Sequence, residues 1–172
     1  MARSPATGRI GSSAGANLSR RCPVRKHGRM PSDSAPAGPS GRDVIAQFLP
    51  QSPLVAKLGI VADRLDEREV RLRLPWDPSN VTIGDMIHGG AIATLADVTV
   101  MAAAWCGAQA PPELRGVTIS MALDFMAPAR ATDVIGVGRV LRRGRSLVNC
   151  EAEILDGQGR LVAKALATYK IG

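Results

Sequence analysis

A chain of 172 residues has room for one domain with a sizeable core and hardly for a second. The formal charge of +7 suggests a polyanion binder until it is located: residues 1–40 hold seven Lys or Arg against the single acid Asp33, whereas the rest hold fifteen against fourteen. That distribution argues against a nucleic-acid-binding body. Cys22, Cys106 and Cys150 have no metal-ligand spacing and fit reduced thiols in a cytoplasmic, reducing compartment.

Gly, Ser, Pro, Ala and Arg dominate residues 1–41 without an apolar period, so too little can be buried to offset the entropy of ordering. This segment is expected to be a disordered basic tail, with the folded domain spanning residues 42–172. The tail lacks the compact apolar stretch of a secretory signal. Its Arg- and Ser-rich, acid-poor character resembles an organellar transit peptide, and a translation start at Met30 accounts for it equally.

From Asp43 to Leu58, Val44, Ile45, Phe48 and Leu49 suggest a short helix broken near Pro50 and Pro53. Two strands follow, joined at Asp66-Glu67-Arg68. In the second, Val70, Leu72 and Leu74 alternate with Glu69, Arg71 and Arg73. Pro75 and Pro78 open a loop to about Ile87. The one long helix runs from His88 to Cys106, apolar on nearly every face, and stops at Gly107. Asp97 interrupts its apolar run, so a buried helix explains it better than a membrane span.

The remainder is strand. Val117, Ile119, Met121, Leu123 and Phe125 alternate with Thr118, Ser120, Ala122 and Asp124. Gly136 and Gly138 lie in an apolar strand from Val134 to Leu141, where the helix or another backbone can approach closely. Turns at Arg142-Arg143-Gly144-Arg145 and Asp156-Gly157-Gln158-Gly159 join the last three strands as hairpins. One buried helix followed by an antiparallel meander implies an α+β domain whose sheet wraps the helix.

The chemistry concentrates in His88-Gly89-Gly90 and Asp97. Two glycines at a helix start expose backbone N–H groups which, with the positive end of the helix dipole, suit a developing oxyanion. Asp97, among Leu95, Ala96, Val98 and Val100, is expensive to bury as an ion unless it is paired or lines a wet cavity. Catalysis is one explanation for it, and an ion pair in an oligomer interface is another. With His27 in the tail and His88 alone in the body, no metal site is implied.

The segments His88-Gly89-Gly90, Leu95-Ala96-Asp97, Gly116-Val117-Thr118-Ile119, Phe125-Met126-Ala127-Pro128-Ala129 and Arg142 to Leu147 resemble the PaaI-like, phenylacetate-pathway group of hotdog-fold thioesterases. The resemblance covers roughly residues 45–172. It implies a hotdog fold, acyl-coenzyme A as substrate, no cofactor apart from the CoA of the substrate, and a homodimer or dimer of dimers with sites between protomers. It further implies that Asp97 is general base or nucleophile, that the Gly89 N–H polarises the thioester carbonyl, that Thr118 places the water and that His88 orients the turn. Asn80 corresponds to a substrate-contacting asparagine, although the loop from Val81 to Ile87 is longer than usual. The coenzyme is expected along Arg142, Arg143, Gly144, Arg145, Ser146 and Leu147, with Lys170 a further contact, and three arginines around a glycine suit phosphates chemically.

Two other readings compete. A hotdog enoyl-CoA hydratase needs a His after the Asp, and none follows Asp97. A non-catalytic acyl-CoA sensor of this fold carries an N-terminal helix-turn-helix, for which residues 1–40 lack apolar periodicity.

Overall fold

The computed structural model describes residues 38–110 and 115–172; the expected basic tail falls almost wholly outside them. The first helix, α1, spans Gly41–Phe48 and starts on a capping box in which Ser40 and Asp43 exchange side-chain and backbone bonds. A 3-10 turn, Leu49–Gln51, separates it from α2, Pro53–Leu58, where the two prolines break the helix. Gly59 ends α2 in the left-handed region at φ 68°.

Strands β1 (Val61–Arg64) and β2 (Val70–Leu74) form the first hairpin. The loop expected up to Ile87 holds more structure than the prolines suggested: a 3-10 turn at Pro78–Asn80 and a small hairpin of β3 (Val81–Ile83) and β4 (Met86–Ile87). The long helix α3 is Gly89–Cys106, with His88 as its cap. It is followed by β5 (Gly116–Phe125), β6 (Val134–Arg143), β7 (Leu147–Asp156) and β8 (Leu161–Ile171).

Among the described residues six strands form one antiparallel sheet in the order β1-β2-β6-β7-β8-β5, curled around α3. The alternation read from β2 and β7 holds, since Val70, Leu72, Leu74, Val148, Cys150, Ala152 and Ile154 all face inward. Helix α3 sits close to the sheet because β6 is glycine where they cross. A Cβ on Gly136 would overlap the Thr99 hydroxyl, and one on Gly138 would lie 2.9 Å from the Thr99 carbonyl oxygen. The 18 residues of α3 are long and apolar enough to span a bilayer, yet 67% of that stretch is buried in the domain, as in a core helix.

Strand β5 departs from simple alternation. Its register against β8 shifts between Thr118 and Ser120, so Ile119 is an extra residue. On one side of this bulge Met121 and Leu123 face the core, and on the other side Thr118 does. Val117 and Ile119 point outward, 54% and 55% exposed. The strand is also the edge of the sheet.

Candidate active site

The start of α3 is organised by His88. Its Nδ1 accepts the Gly90 N–H at 2.8 Å, and its carbonyl accepts from Ala91 at 2.9 Å and Ile92 at 3.2 Å. Its own N–H donates to the Asn80 carbonyl at 2.8 Å, which ties the Pro78–Asn80 turn to the helix. Of the first-turn donors that a helix leaves open, only the Gly89 N–H has no partner among the described residues. The two glycines do different work. A Cβ on Gly90 would lie 2.9 Å from the His88 ring, whereas one on Gly89 would meet only the Phe125 ring at an ordinary 3.6 Å. Packing within the protomer therefore does not demand glycine at 89.

Asp97 lies half-buried two turns further along, and Thr118 Oγ1 donates to its Oδ1 at 2.6 Å. No described cation pairs with it. The bulge at Ile119 makes this bond possible by turning Thr118 toward the helix. Across the sheet from Thr118 is Tyr169, whose phenol accepts from the Trp105 indole N–H at 3.3 Å. Burial raises the Tyr169 pKa, the Trp105 bond opposes the rise, and the nearby Asp97 charge adds to it.

Gly89 and Asp97 are eight residues apart on one straight helix, which separates them by about 12 Å along the axis.

The predicted coenzyme residues lie at the other end of α3. Arg143, Gly144, Arg145 and Ser146 border a hollow of about 260 Å³ with Gly107, Ala108 and Gln109. The Arg143 guanidinium lies over Gly107, where the negative end of the α3 dipole favours a cation. Arg142 and Leu147 are exposed on the same hairpin. Lys170 pairs in register with Leu147 and, with Arg115 and Val117, borders a second hollow of about 540 Å³. Arg115 escaped the sequence reading, its only signal being a cation just before a strand.

The thiols of Cys106 and Cys150 are buried and pushed up to about 11 by that burial, so neither is a nucleophile near neutral pH. Among the described residues no group of three or more His, Cys, Asp or Glu is placed to hold a metal ion.

A single long helix wrapped by an antiparallel sheet, with a His-Gly-Gly start and one carboxylate at mid-length, defines a hotdog fold. Residues 84–163 match the family model of the Thioesterase superfamily. A Pseudomonas aeruginosa protein named a candidate esterase is 34% identical over 122 residues, covering 70% of this chain and 89% of its own. A thioesterase family protein from Silicibacter pomeroyi superposes with a TM-score of 0.70 at 23% identity, over 77% of this chain and 98% of that one. The E. coli PaaI protein from the phenylacetic acid degradation operon does so at 0.66 and 20%, over 77% and 94%. The chain belongs to the thioesterase superfamily, has its hotdog fold, and is a hydrolase.

Proposed function

We propose that the protein hydrolyses an acyl-coenzyme A to a free acid and CoA, with Asp97 as the essential carboxylate. The observation that carries this reading is the state of Asp97: half-buried, held at 2.6 Å by the Thr118 hydroxyl and neutralised by no described cation. A structural carboxylate at such depth is normally paired. Asp156 in the same fold illustrates this, since it accepts from the backbone N–H of Gln158 and Arg160 and from the Arg160 guanidinium.

As general base, Asp97 takes a proton from water while the oxygen attacks the thioester carbon. The Gly89 N–H stabilises the oxyanion, and the C–S bond breaks as the proton passes to the departing thiolate. As nucleophile, the carboxylate forms a mixed anhydride that water then opens. Label from single turnover in ¹⁸O-labelled water that appears in Asp97 identifies the second route, with water attacking the Asp97 carbonyl carbon of the anhydride. His88 holds the turn, Asn80 flanks it and Thr118 orients the carboxylate.

The axial separation of about 12 Å between Gly89 and Asp97 favours a second copy of the chain. Antiparallel pairing of two β5 edges about a two-fold axis near Met121 and Ala122 would set Thr118 of one protomer opposite the Phe125 position of the other. The Phe125 ring stands beside Gly89, 3.6 Å from where a Cβ would lie, and Thr118 touches Asp97. Such a homodimer carries two sites, each combining one protomer's acid with its partner's helix start. The basic hairpin from Arg142 to Leu147, with Lys170 and Arg115, suits the phosphates of the coenzyme.

The test is CoA release, followed with a thiol reagent across a panel of acyl-CoAs. Wild-type protein should release CoA and Asp97→Ala should not. Tight binding without release by the wild type would defeat the proposal.

A further inference from the structure

Two hollows flank the start of α3. One, of about 220 Å³ on the α2 side, is bordered by the polar side chains of Ser79, Asn80, His88 and Thr94 as well as by Leu54 and Leu58. The other, of about 340 Å³, lies between the β3–β4 hairpin and the end of β5 and includes Gly89 in its lining. Its walls are Met86, Ile87, Ile92, Phe125, Met126 and Pro128; Thr82 is the one polar side chain, and no charged side chain borders it. Phe125 and Met126 are each 55% exposed in the protomer, so a group entering the cleft meets apolar side chains.

We propose that this β5-side cleft receives the acyl group, and that the substrate is a CoA thioester of an uncharged hydrocarbon acid of medium length. The inference rests on the acyl-CoA reading and narrows it. A thioester oxygen on the free Gly89 N–H leaves the acyl chain at the mouth of this cleft, since the same residue belongs to both. Each methylene that enters leaves water for an apolar wall. A terminal carboxylate would instead lose its hydration with no cation or cluster of donors to replace it. The volume is near the small end of the ~300–1,000 Å³ typical of ligand pockets, which favours a compact group over a long fatty chain. Met86 and Met126 are flexible, so the length preference is broad.

The experiment measures kcat/KM on acetyl-, butanoyl-, pentanoyl-, hexanoyl-, octanoyl-, palmitoyl- and succinyl-CoA for the full chain and two variants. From acetyl toward the optimum, kcat/KM should rise about fourfold per methylene and then fall by palmitoyl. Succinyl-CoA should be at least about a hundredfold poorer than pentanoyl-CoA, its near-isostere. Ala127→Leu, which narrows the cleft, should lower the octanoyl-to-acetyl ratio at least about tenfold, whereas Leu54→Phe in the other hollow should leave that ratio unchanged. Succinyl-CoA turned over as well as pentanoyl-CoA overturns the inference, as does a ratio that moves with Leu54→Phe and not with Ala127→Leu. Failure to release CoA from any thioester, acetyl-CoA included, overturns the acyl-CoA reading itself and the cleft with it.

Discussion

Asp97 and Gly89 can be tested one atom at a time. Asp97→Asn keeps the shape and the Thr118 contact but removes the basic oxygen, and should lower kcat by about 10²–10⁴-fold. For Gly89 the group in question is a backbone N–H, which a side-chain change ordinarily leaves in place. Proline is the exception, because Gly89 is the first residue of α3, where proline is favoured and its N–H is dispensable to the helix. His88 has φ −66° and ψ 132°, an extended conformation that a following proline accepts. Gly89→Pro should therefore fold with an unchanged circular dichroism spectrum and lose about 10²–10³-fold in kcat. If its activity matches the wild type, Gly89 is not the oxyanion donor. Thr118→Val, which deletes the bond to the carboxylate, should cost about ten- to a hundredfold, and Thr118→Ser much less.

The contact between α3 and β6 sets the position of Asp97. Gly138→Ala would place a methyl group against the Thr99 backbone and should destabilise the fold by about 1–3 kcal/mol in chemical denaturation. Thr99 itself buries a hydroxyl that has no partner among the described residues, so Thr99→Val should stabilise by about 1 kcal/mol. The opposite face of the sheet carries an ion-pair ladder across β2, β6, β7 and β8. In it Arg71 and Arg139 hold Glu69, while Lys164 and Arg139 hold Glu153. The Arg71 hydrogen bond lowers the Glu69 pKa, and the Lys164 hydrogen bond lowers that of Glu153. A folded pKa below the ordinary value gives stabilisation that is complete above the ordinary 4.5 and lost as pH falls through the folded value. The denaturation midpoint should accordingly fall on acidification below pH 4.5, and Glu69→Gln should flatten that decline.

At the scale of the whole molecule, the ten-residue β5 edge, whose outer side pairs with no strand among the described residues, carries exposed Val117 and Ile119, and a second β5 would extend the sheet there. The composite site can be tested by complementation. Asp97→Asn and Gly89→Pro homodimers should each be inactive. Unfolded together and refolded, they should regain about a quarter of wild-type activity, because half the dimers are mixed and each mixed dimer holds one intact site. No recovery in a mixture shown by sedimentation to form mixed dimers would mean that each protomer works alone.

Much of this was legible in the chain. Strict alternation in β2 and β7, apolar character all round α3 and glycines at 136 and 138 require a helix held inside a sheet, because burial is the one stable outcome for such surfaces. The His-Gly-Gly cap and an acid amid apolar residues singled out the candidate site. Tertiary structure alone decided three matters: that Thr118 reaches Asp97, that Phe125 stands beside Gly89, and that the Arg142 to Leu147 hairpin meets the far end of α3. The Thr118 contact depends on one bulge residue, and a bulge reverses the facing of a strand without altering its apolar pattern. The other two depend on which distant segments the sheet order brings together, a long-range property that no local period encodes.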